Sequence, residues 1–220
     1  MNITLAEEVM LLSLDDESGT AKKRQAAGWA VAGGILLELV LAGRFTIVGK
    51  ELEAADTSPT GDALLDGRLE LIRTWLERRG RHTVTGWLTK DHTKAVAAAL
   101  DSLCARGVVE RREHKALGMF PVRRYPEADG SHERALRERL RACVLDGAEP
   151  DQRTAGLIAL LHSAKLHDLA FADGPRAEVK ARMAEVAEGQ WAAESIRKAI
   201  RDMQAAIAAV TAVTVLTATS

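Results

Sequence analysis

The segment from Trp29 to Leu41, WAVAGGILLELVL, constrains the fold of this chain more than any other. It is the apolar part of a predicted helix that runs from about Ala21 to Ala42, stops at Gly43 and is apolar on nearly every side. Helices without a polar face are buried in the centre of a bundle. The segment is also well short of the roughly 20 residues that a membrane-spanning helix needs. We therefore expect a helical protein built around this segment, one that can lie on a membrane but does not cross it.

Composition and periodicity predict a mainly α protein. Aromatic residues make up 4% and hydrophobic residues 47% of the 220 residues, which favours packed helices over a β-sandwich. Two segments, Arg44–Glu53 and Gly107–Glu127, predict β-hairpins. No Pro/Ser-rich linker interrupts the chain, so residues 1–220 are predicted to form a single-domain helical bundle with one or two β-hairpins. Further helices are predicted at about 3–12, 59–79, from 87, 94–106, from 131, 151–166, 175–188 and 190–216, with a break at 80–86.

The charge balance narrows the classes of partner. The formal net charge is -1, so the chain is not predicted to coat nucleic acid, and any anion must be bound by local basic clusters. Cys104 and Cys143 form no CxxC pair and are expected to be reduced. The N-terminus carries acids where a secretory signal carries bases. We therefore expect a cytoplasmic protein.

A basic run, Lys22, Lys23 and Arg24, comes just before the apolar part of the central helix. Backbone N–H groups at the N-terminus of a helix attract anions, and three cations add to that attraction. We predict that this run binds the head groups of anionic membrane lipids.

The segment Gly107–Glu127, GVVERREHKALGMFPVRRYPE, predicts a hairpin with basic arms and an apolar tip. The arms supply three further lipid-binding candidates: Arg111, Arg123 and Arg124. Three apolar residues of the tip are predicted to contact a membrane surface or to join copies of the chain into a homo-oligomer: Leu117, Met119 and Phe120. In the alternative, the tip packs on the core of its own domain and the arginines pair with acids of the hairpin: Glu110, Glu113 and Glu127.

Two other functions stay open from the residues alone. One is a Mg²⁺-dependent enzyme acting on a prenyl diphosphate, in the manner of a terpene cyclase, with metal held by acids of the first loop and the PTGD segment: Asp15, Asp16, Glu17, Asp62 and Asp66. The other is DNA binding, because Thr85 to Tyr125 has the order helix, helix, basic hairpin of a winged helix. The would-be recognition helix KAVAAALDSLCAR has few side chains that read bases, which disfavours nucleic acid.

An enzyme is the less favoured interpretation. Consecutive acids at the end of a helix more often solvate a turn than bind a metal. The six histidines and two cysteines have no zinc-ligand spacing, and the chain has no nucleophile elbow and no phosphate-cradling glycine loop. We therefore predict no metal, no cofactor and no catalytic residue.

Five segments resemble, in order and spacing, the Golgi phosphoprotein 3 family in the short form found in bacteria. The match extends over nearly the whole chain, and its PTGD–LLD and LLELVLAGR segments are fairly specific. Arg far outnumbers Lys and Ala is abundant, which fits a GC-rich bacterial source. The five segments are LAEEVMLLSLDDESG (5–19), GGILLELVLAGR (33–44), SPTGDALLD (58–66), LGMFPVRRYPE (117–127) and DQRTAGLIALLHSAKL (151–166).

The resemblance implies a mostly helical domain whose hairpin takes part in oligomerisation and membrane contact. For eukaryotic members it implies phosphatidylinositol 4-phosphate binding and recruitment to Golgi membranes as an adaptor for glycosyltransferases. Lys23 takes the place of the pocket tryptophan of those members, and Ala32, Thr93 and Val96 take the places of three basic pocket residues. We therefore expect a peripheral membrane adaptor or regulator that recognises anionic head groups, with phosphoinositides as one candidate and an undetermined protein partner.

Overall fold

The structure, a computed structural model, describes residues 3–15, 19–116, 120–172, 174–188 and 194–218. Only the backbone is described for residues 114–116, 120–122, 194–196 and 213–218. These residues form nine helices and two antiparallel strand pairs. The predicted fold class, mainly α with β-hairpins, is confirmed.

The elements follow one another in this order. The helices are α1 Leu5–Ser13, α2 Arg24–Leu41, α3 Ala63–Leu76, α4 Val84–Ala105, α5 Ser131–Val144, α6 Gln152–Ser163, α7 His167–Ala170, α8 Arg176–Glu188 and α9 Glu194–Ala218. The strands are β1 Phe45–Val48 and β2 Glu51–Ala54, between α2 and α3, and β3 Arg112–Ala116 and β4 Phe120–Arg124, between α4 and α5.

The apolar helix α2 occupies the centre of the bundle, as its sequence predicts. It packs against α1, α4, α6 and α9. Two glycines let the neighbouring helices come close. A Cβ on Gly33 would lie 2.7 Å from Cδ1 of Ile207 in α9, and a Cβ on Gly34 would lie 3.0 Å from the backbone N of Ala6 in α1. A side chain at position 34 would press on the backbone of α1, whereas one at position 33 would require the Ile207 side chain to shift.

Within the described ranges, α2 is also the one helix whose length and composition would allow it to span a membrane. In this structure 67% of that 18-residue segment is buried inside the protein. A core helix of a folded domain has this character, which agrees with its predicted place.

Buried ion pairs tie α1 to later parts of the chain. The Glu7 side chain is fully buried, and its Oε1 lies 2.9 Å from Nε of Arg106, which follows α4. Oε1 of Glu8 lies 2.7 Å from Arg139 of α5 and 3.5 Å from Arg153 of α6. Carboxylates buried this deeply persist in a fold only when they are paired. These pairs fix α1 against three other regions.

Both predicted hairpins are present. β1 pairs with β2 from Phe45↔Ala54 to Val48↔Glu51. β3 pairs with β4 from Arg112↔Arg124 to Ala116↔Phe120. The strands of the second hairpin make their main contacts with each other and not with a helix, so this hairpin lies beside the bundle and not within its core.

One helix prediction is wrong. The segment expected to be two helical pieces, with turns from Trp87 and a helix over 94–106, is the single helix α4 of 22 residues, Val84–Ala105. Thr83 caps its N-terminus by accepting a hydrogen bond from the Gly86 backbone N at 3.1 Å. The helix, helix, hairpin order on which the winged-helix alternative depends is therefore missing from this segment.

Candidate functional site

The loop that joins α1 to α2 is held against the base of the β3–β4 hairpin. Leu14 and Ala21 form an isolated antiparallel bridge across the loop. The carbonyl oxygen of Gly19 accepts a hydrogen bond from the backbone N of Tyr125 at 2.8 Å. Gly19 has a φ of +61°, and a Cβ there would lie 2.6 Å from the backbone N of Tyr125 and of Pro126. Because only glycine fits this approach, the loop sets where the hairpin lies relative to α2.

A cleft of about 930 Å³ opens between this loop, α2, α4 and the base of the hairpin. We call it the basic cleft. Two arginines, Arg24 and Arg123, line it together with Tyr125 and Glu113. Its apolar lining consists of Met10, Leu14, Ala21, Ala27, Val96 and Leu100. Apolar walls with guanidinium groups beside them suit a ligand that is anionic at one end and apolar at the other.

The predicted basic run lies at the start of α2 and is exposed. Lys23 is the residue before the helix, in the left-handed region at φ 46°, and no side chain caps the helix. Lys22 Nζ lies 3.0 Å from Asp15, and Lys23 Nζ lies 2.5 Å from Asp168. Arg24 makes no ion pair with any residue that the structure describes. Its charge, on the lining of the basic cleft, is therefore available to an anion.

The strand register concentrates positive charge on the hairpin. Arg112 stands directly opposite Arg124, an arrangement of like charges that costs stability. Arg124 is half-buried, and its Nε has no hydrogen-bond partner among the described residues. Arg123, at the basic cleft, pairs with Glu113 at 3.4 Å. Arg112 pairs with Glu110 at 2.8 Å, which partly compensates its charge, whereas Arg124 has no acid partner in the part of the chain that the structure describes.

Arg111 is held at the foot of the hairpin. It pairs with Asp101 of α4, and its guanidinium carbon lies 5.9 Å from the centre of the Tyr125 ring. Cross-strand pairing of the hairpin arginines is only partial: Glu113 takes part, whereas Glu127 instead accepts a hydrogen bond from the backbone N of Glu133 at 3.0 Å.

The predicted apolar tip falls outside what the structure describes. Leu117 and Met119 are not among the described residues, and of Phe120 the structure gives the backbone, which pairs with Ala116. The role of the tip in membrane contact or oligomerisation stays a prediction.

The ion pairs of this region are weak competitors for an anionic ligand. The carboxylate partners of Lys23 and Arg123 are exposed and that of Lys22, Asp15, is half-buried, and pairs at a protein surface contribute about 0–1 kcal/mol. Burial alone would raise the pKa of Asp168, but the hydrogen bond and charge of Lys23 outweigh it and lower the pKa. Asp168 is therefore ionised at neutral pH, and a phosphate with its larger charge can displace it from Lys23.

Of the acids in the enzymatic alternative, the three that the structure describes, Asp15, Asp62 and Asp66, form no cluster that could hold a metal ion. Asp15 pairs with Lys22. Asp62 caps α3, accepting from the backbone N of Leu64 at 2.9 Å, and also contacts Arg106. Asp66 accepts two hydrogen bonds of 2.6 Å from Thr60. Asp16 and Glu17 lie outside the described residues.

The PTGD–LLD segment is thus a helix cap and loop in this structure. Burial would raise the pKa of Asp66, but hydrogen bonds from Thr60 and Gly61 lower it. The carboxylate is therefore held ionised as an acceptor for its own loop. One cluster of potential metal ligands occurs elsewhere among the described residues, Glu127, Asp129 and His132. Its carboxylates accept hydrogen bonds from the backbone N of Glu133 and Ser131.

The residues that replace the eukaryotic head-group pocket do not share one open site. Ala32 is fully buried, Thr93 is exposed, and Val96 lines the basic cleft. Lys23 lies at the helix start and not in that cleft. The cations at the basic cleft instead come from Arg24 and the hairpin.

Sequence reasoning missed Tyr125 as part of the site. Its place at the basic cleft depends on the close approach of Gly19 to the hairpin base. No local pattern signals a contact between residues so far apart. The one available signal was a glycine in a polar loop, which predicts a turn without naming its neighbour.

Comparison with known proteins places this architecture beside one family. The model of the Golgi phosphoprotein 3 family matches residues 5–203. The chain is also similar to the vacuolar protein sorting-associated protein 74 of Eremothecium gossypii, with 29% identity over 159 residues, which make up 63% of this chain and 48% of that protein. The chain therefore spans about half the length of this curated relative.

Proposed function

Because this chain belongs to the Golgi phosphoprotein 3 family, we propose that it is a peripheral membrane-binding adaptor or regulator that recognises anionic lipid head groups. The proposed site comprises the basic cleft, the run at the start of α2 and the basic arms of the β3–β4 hairpin. The protein would attach to the cytoplasmic surface of a membrane. Phosphoinositides are candidate ligands, and the protein that it recruits is undetermined.

One observation carries the proposal: the fold brings the two basic segments of the sequence to one place. The hydrogen bond between Tyr125 and Gly19 joins the hairpin to the loop that precedes Lys22. Arg24 from one segment and Arg123 from the other then line the same cleft. A chain with a net charge of -1 can bind an anionic surface only through such a local concentration of charge.

The binding free energy expected from these cations is enough for reversible attachment to a membrane. A Lys or Arg close to an anionic membrane contributes about 1 kcal/mol. Lys22 and Lys23 each pair with one carboxylate at the surface, Asp15 and Asp168, and Arg24 pairs with none among the described residues. Three such side chains support weak binding, and the hairpin arginines add to it.

Flotation with vesicles tests the basic run directly. We expect the triple variant Lys22→Ala, Lys23→Ala, Arg24→Ala to partition into anionic vesicles about a hundredfold less than the wild type, from about 1 kcal/mol per side chain. A matched control removes the same charge from the exposed loop after α3, with Arg78, Arg79 and Arg81 each changed to Ala. The control should bind like the wild type. Equal losses in both variants would mean that total charge and not this site governs binding, and an unchanged triple variant would remove the run from the site.

The hairpin tip is tested separately, since we propose that it contacts the membrane or a second copy of the chain. Met119→Asp with Phe120→Asp should abolish vesicle binding or self-association and leave the melting temperature nearly unchanged. Burying one large apolar side chain at the boundary of the acyl chains contributes about 1.5–3 kcal/mol to membrane binding. The two introduced aspartates would remove this contribution. The control is Val48→Asp with Leu71→Asp, which alters two exposed apolar residues on other elements. If the tip variant alone melts many degrees lower, the tip packs within its own domain.

A further inference from the structure

The turn after α6 brings two histidines into contact, His162 near the end of α6 and His167 at the start of α7. Nε2 of His167 lies 3.2 Å from Nδ1 of His162, and the ring centres are 5.1 Å apart. On one continuous helix, residues five positions apart would lie about 140° apart around the axis. The contact therefore depends on the turn, and we call these two residues the histidine pair.

The turn that makes this contact is fixed on both sides. Lys165 is in the left-handed region at φ 57°, and its backbone N donates to the carbonyl oxygen of His162 at 3.1 Å. The backbone N of Leu166 donates to the carbonyl oxygen of Leu161 at 2.8 Å. Leu161 and Leu166, each next to one of the histidines, are fully buried. The two rings are therefore set facing each other by the fold, and a ligand held between them would cost little conformational entropy.

The spacing of the two facing nitrogens suits a shared metal ion as well as a hydrogen bond. Zinc binds imidazole nitrogen at about 2.0–2.1 Å with tetrahedral geometry, which places two such nitrogens about 3.3–3.4 Å apart. The observed separation is 3.2 Å, within the tolerance of about 0.2 Å that a metal site allows. A metal ion could therefore be bound between the rings with almost no movement of either side chain.

Both rings are in the protonation state that a metal ligand needs at neutral pH. Burial lowers the pKa of His162, and the charge of Lys180 in α8 lowers it further. Burial also lowers the pKa of His167, and the neighbouring His162 adds to that effect. Lys180 and Lys23 lower the pKa of His167 further, whereas Asp168 opposes them. Metal ions bind the neutral imidazole, so protons compete little for this pair at neutral pH.

Binding a metal ion would need no net loss of a proton. In the hydrogen-bonded pair, one facing nitrogen carries a hydrogen and donates it to the other. When both facing nitrogens bind a metal ion, the donating ring carries its hydrogen on its other nitrogen instead. No hydrogen bond from the described residues fixes either ring through that other nitrogen. Both rings are half-buried, so water can carry the proton and can also complete the coordination of the metal.

We propose that the histidine pair binds one divalent transition-metal ion such as Zn²⁺ through Nδ1 of His162 and Nε2 of His167, with water as the remaining ligands. Imidazole nitrogen suits Zn²⁺, Cu²⁺ and Ni²⁺, whereas Mg²⁺ and Ca²⁺ prefer oxygen. Two protein ligands make an open and exchangeable site, unlike the four of a structural zinc site. Lys180 is close enough to act on both histidines, so it would repel the ion and weaken its binding.

Titration calorimetry of the full chain with Zn²⁺, after treatment with EDTA, tests the site. The wild type should bind one Zn²⁺ saturably. His162→Gln and His167→Gln should each weaken binding at least tenfold, because each removes one of the two protein ligands. Lys180→Gln, an exposed change that leaves both rings in place, should tighten it. His132→Gln is the matched control, because it removes a half-buried histidine from the other group of potential metal ligands, and it should bind like the wild type.

Nitrogen NMR of isotope-labelled histidine identifies the ligand atoms. On addition of Zn²⁺, Nδ1 of His162 and Nε2 of His167 should move to the range of metal-bound nitrogen, and the rings of the other four of the six histidines should not change. The same spectra show whether each variant is folded, so a loss of binding caused by unfolding is recognised as such. The site is overturned if the wild type shows no saturable binding, if both glutamine variants of the pair bind as the wild type does, or if Zn²⁺ shifts other histidines instead.

This proposal does not rest on the membrane-binding function, and the two fail separately, since neither histidine belongs to the surface proposed to bind membranes.

Discussion

Glu38 is the residue through which pH acts most directly on the stability of the core. Its side chain is 12% exposed, contacts Arg153 and accepts a hydrogen bond from the backbone N of Leu5 at 2.9 Å. Burial raises the pKa of Glu38 from 4.5 to about 7, and the charge of Arg153 only partly opposes it. Arg153 also lies 3.5 Å from Glu8. Burial has the largest effect on the pKa of Glu38, and the charge of Glu8 adds to it slightly.

The sign of the pH effect follows from the raised pKa. Between pH 4.5 and 7 the folded state keeps the proton on Glu38, whereas the unfolded state has lost it. The contribution of Glu38 to the free energy of unfolding is therefore full below pH 4.5 and is lost as the pH rises through 7. A shift of this size corresponds to about 3 kcal/mol across the window. We expect the melting temperature of the wild type, relative to that of Glu38→Gln, to fall from pH 5 to pH 8. A difference that stays constant or rises with pH would show that Arg153 holds Glu38 ionised.

At the scale of elements, the contact between the α1–α2 loop and the β3–β4 hairpin builds the proposed site. Gly19→Ala would place a Cβ 2.6 Å from the backbone N of Tyr125, at a φ of +61°. Backbone atoms cannot yield as a flexible side chain does, so the loop and the hairpin must separate. We expect a loss of about 2–3 kcal/mol of stability together with a loss of vesicle binding.

The matched control for this variant is Gly67→Ala in α3. A Cβ on Gly67 meets nothing within 4 Å, so alanine should stabilise the helix by about 0.5–1 kcal/mol and leave vesicle binding unchanged. Thermal unfolding and flotation of both variants check the prediction. Unchanged flotation of a destabilised Gly19→Ala would mean that the hairpin binds membranes without the loop.

Elements whose signal is local could be predicted from the sequence, and contacts between distant residues could not. The helix α2 and both hairpins were predicted because burial and turn residues leave a periodic pattern in the chain. The predicted break within α4 was wrong because α4 begins at Val84 with Thr83 as its cap, ahead of Gly86 and Trp87, so Gly86 lies inside the helix. Gly86 lies in the first turn, where its backbone N–H binds the Thr83 cap, and even inside a helix a glycine costs only about 1 kcal/mol.

The family segments show the same limit. LAEEV, LLELV and DQR identify the family as a pattern, and Glu8 and Glu38 of the first two segments both pair with Arg153 of the third. Arg153 contacts Glu38, 115 residues away in the chain. Nothing local in either segment indicates that pairing, and the sequence therefore identified the family without indicating what these residues do.

For the whole molecule, the placement of charge matters more than its total. The formal net charge is -1, yet the start of α2 and the hairpin arms, which meet at the basic cleft, are rich in Lys and Arg. Such a molecule should be repelled weakly or not at all by an anionic membrane at long range and be attracted when this surface faces it. Attraction of this kind is screened by salt, with a Debye length of about 10 Å at 0.1 M.

The central claim, that the protein attaches to membranes through this basic surface, is tested most directly by a flotation series across salt concentration. Vesicles of phosphatidylcholine alone are compared with vesicles that also contain phosphatidylserine or a phosphoinositide. We predict no binding to the neutral vesicles, and binding to both anionic kinds that falls at least tenfold between about 0.1 M and 0.5 M salt, as screening removes about 1 kcal/mol per cation. Binding that is equal for neutral and anionic vesicles, or that does not change with salt, would contradict the claim.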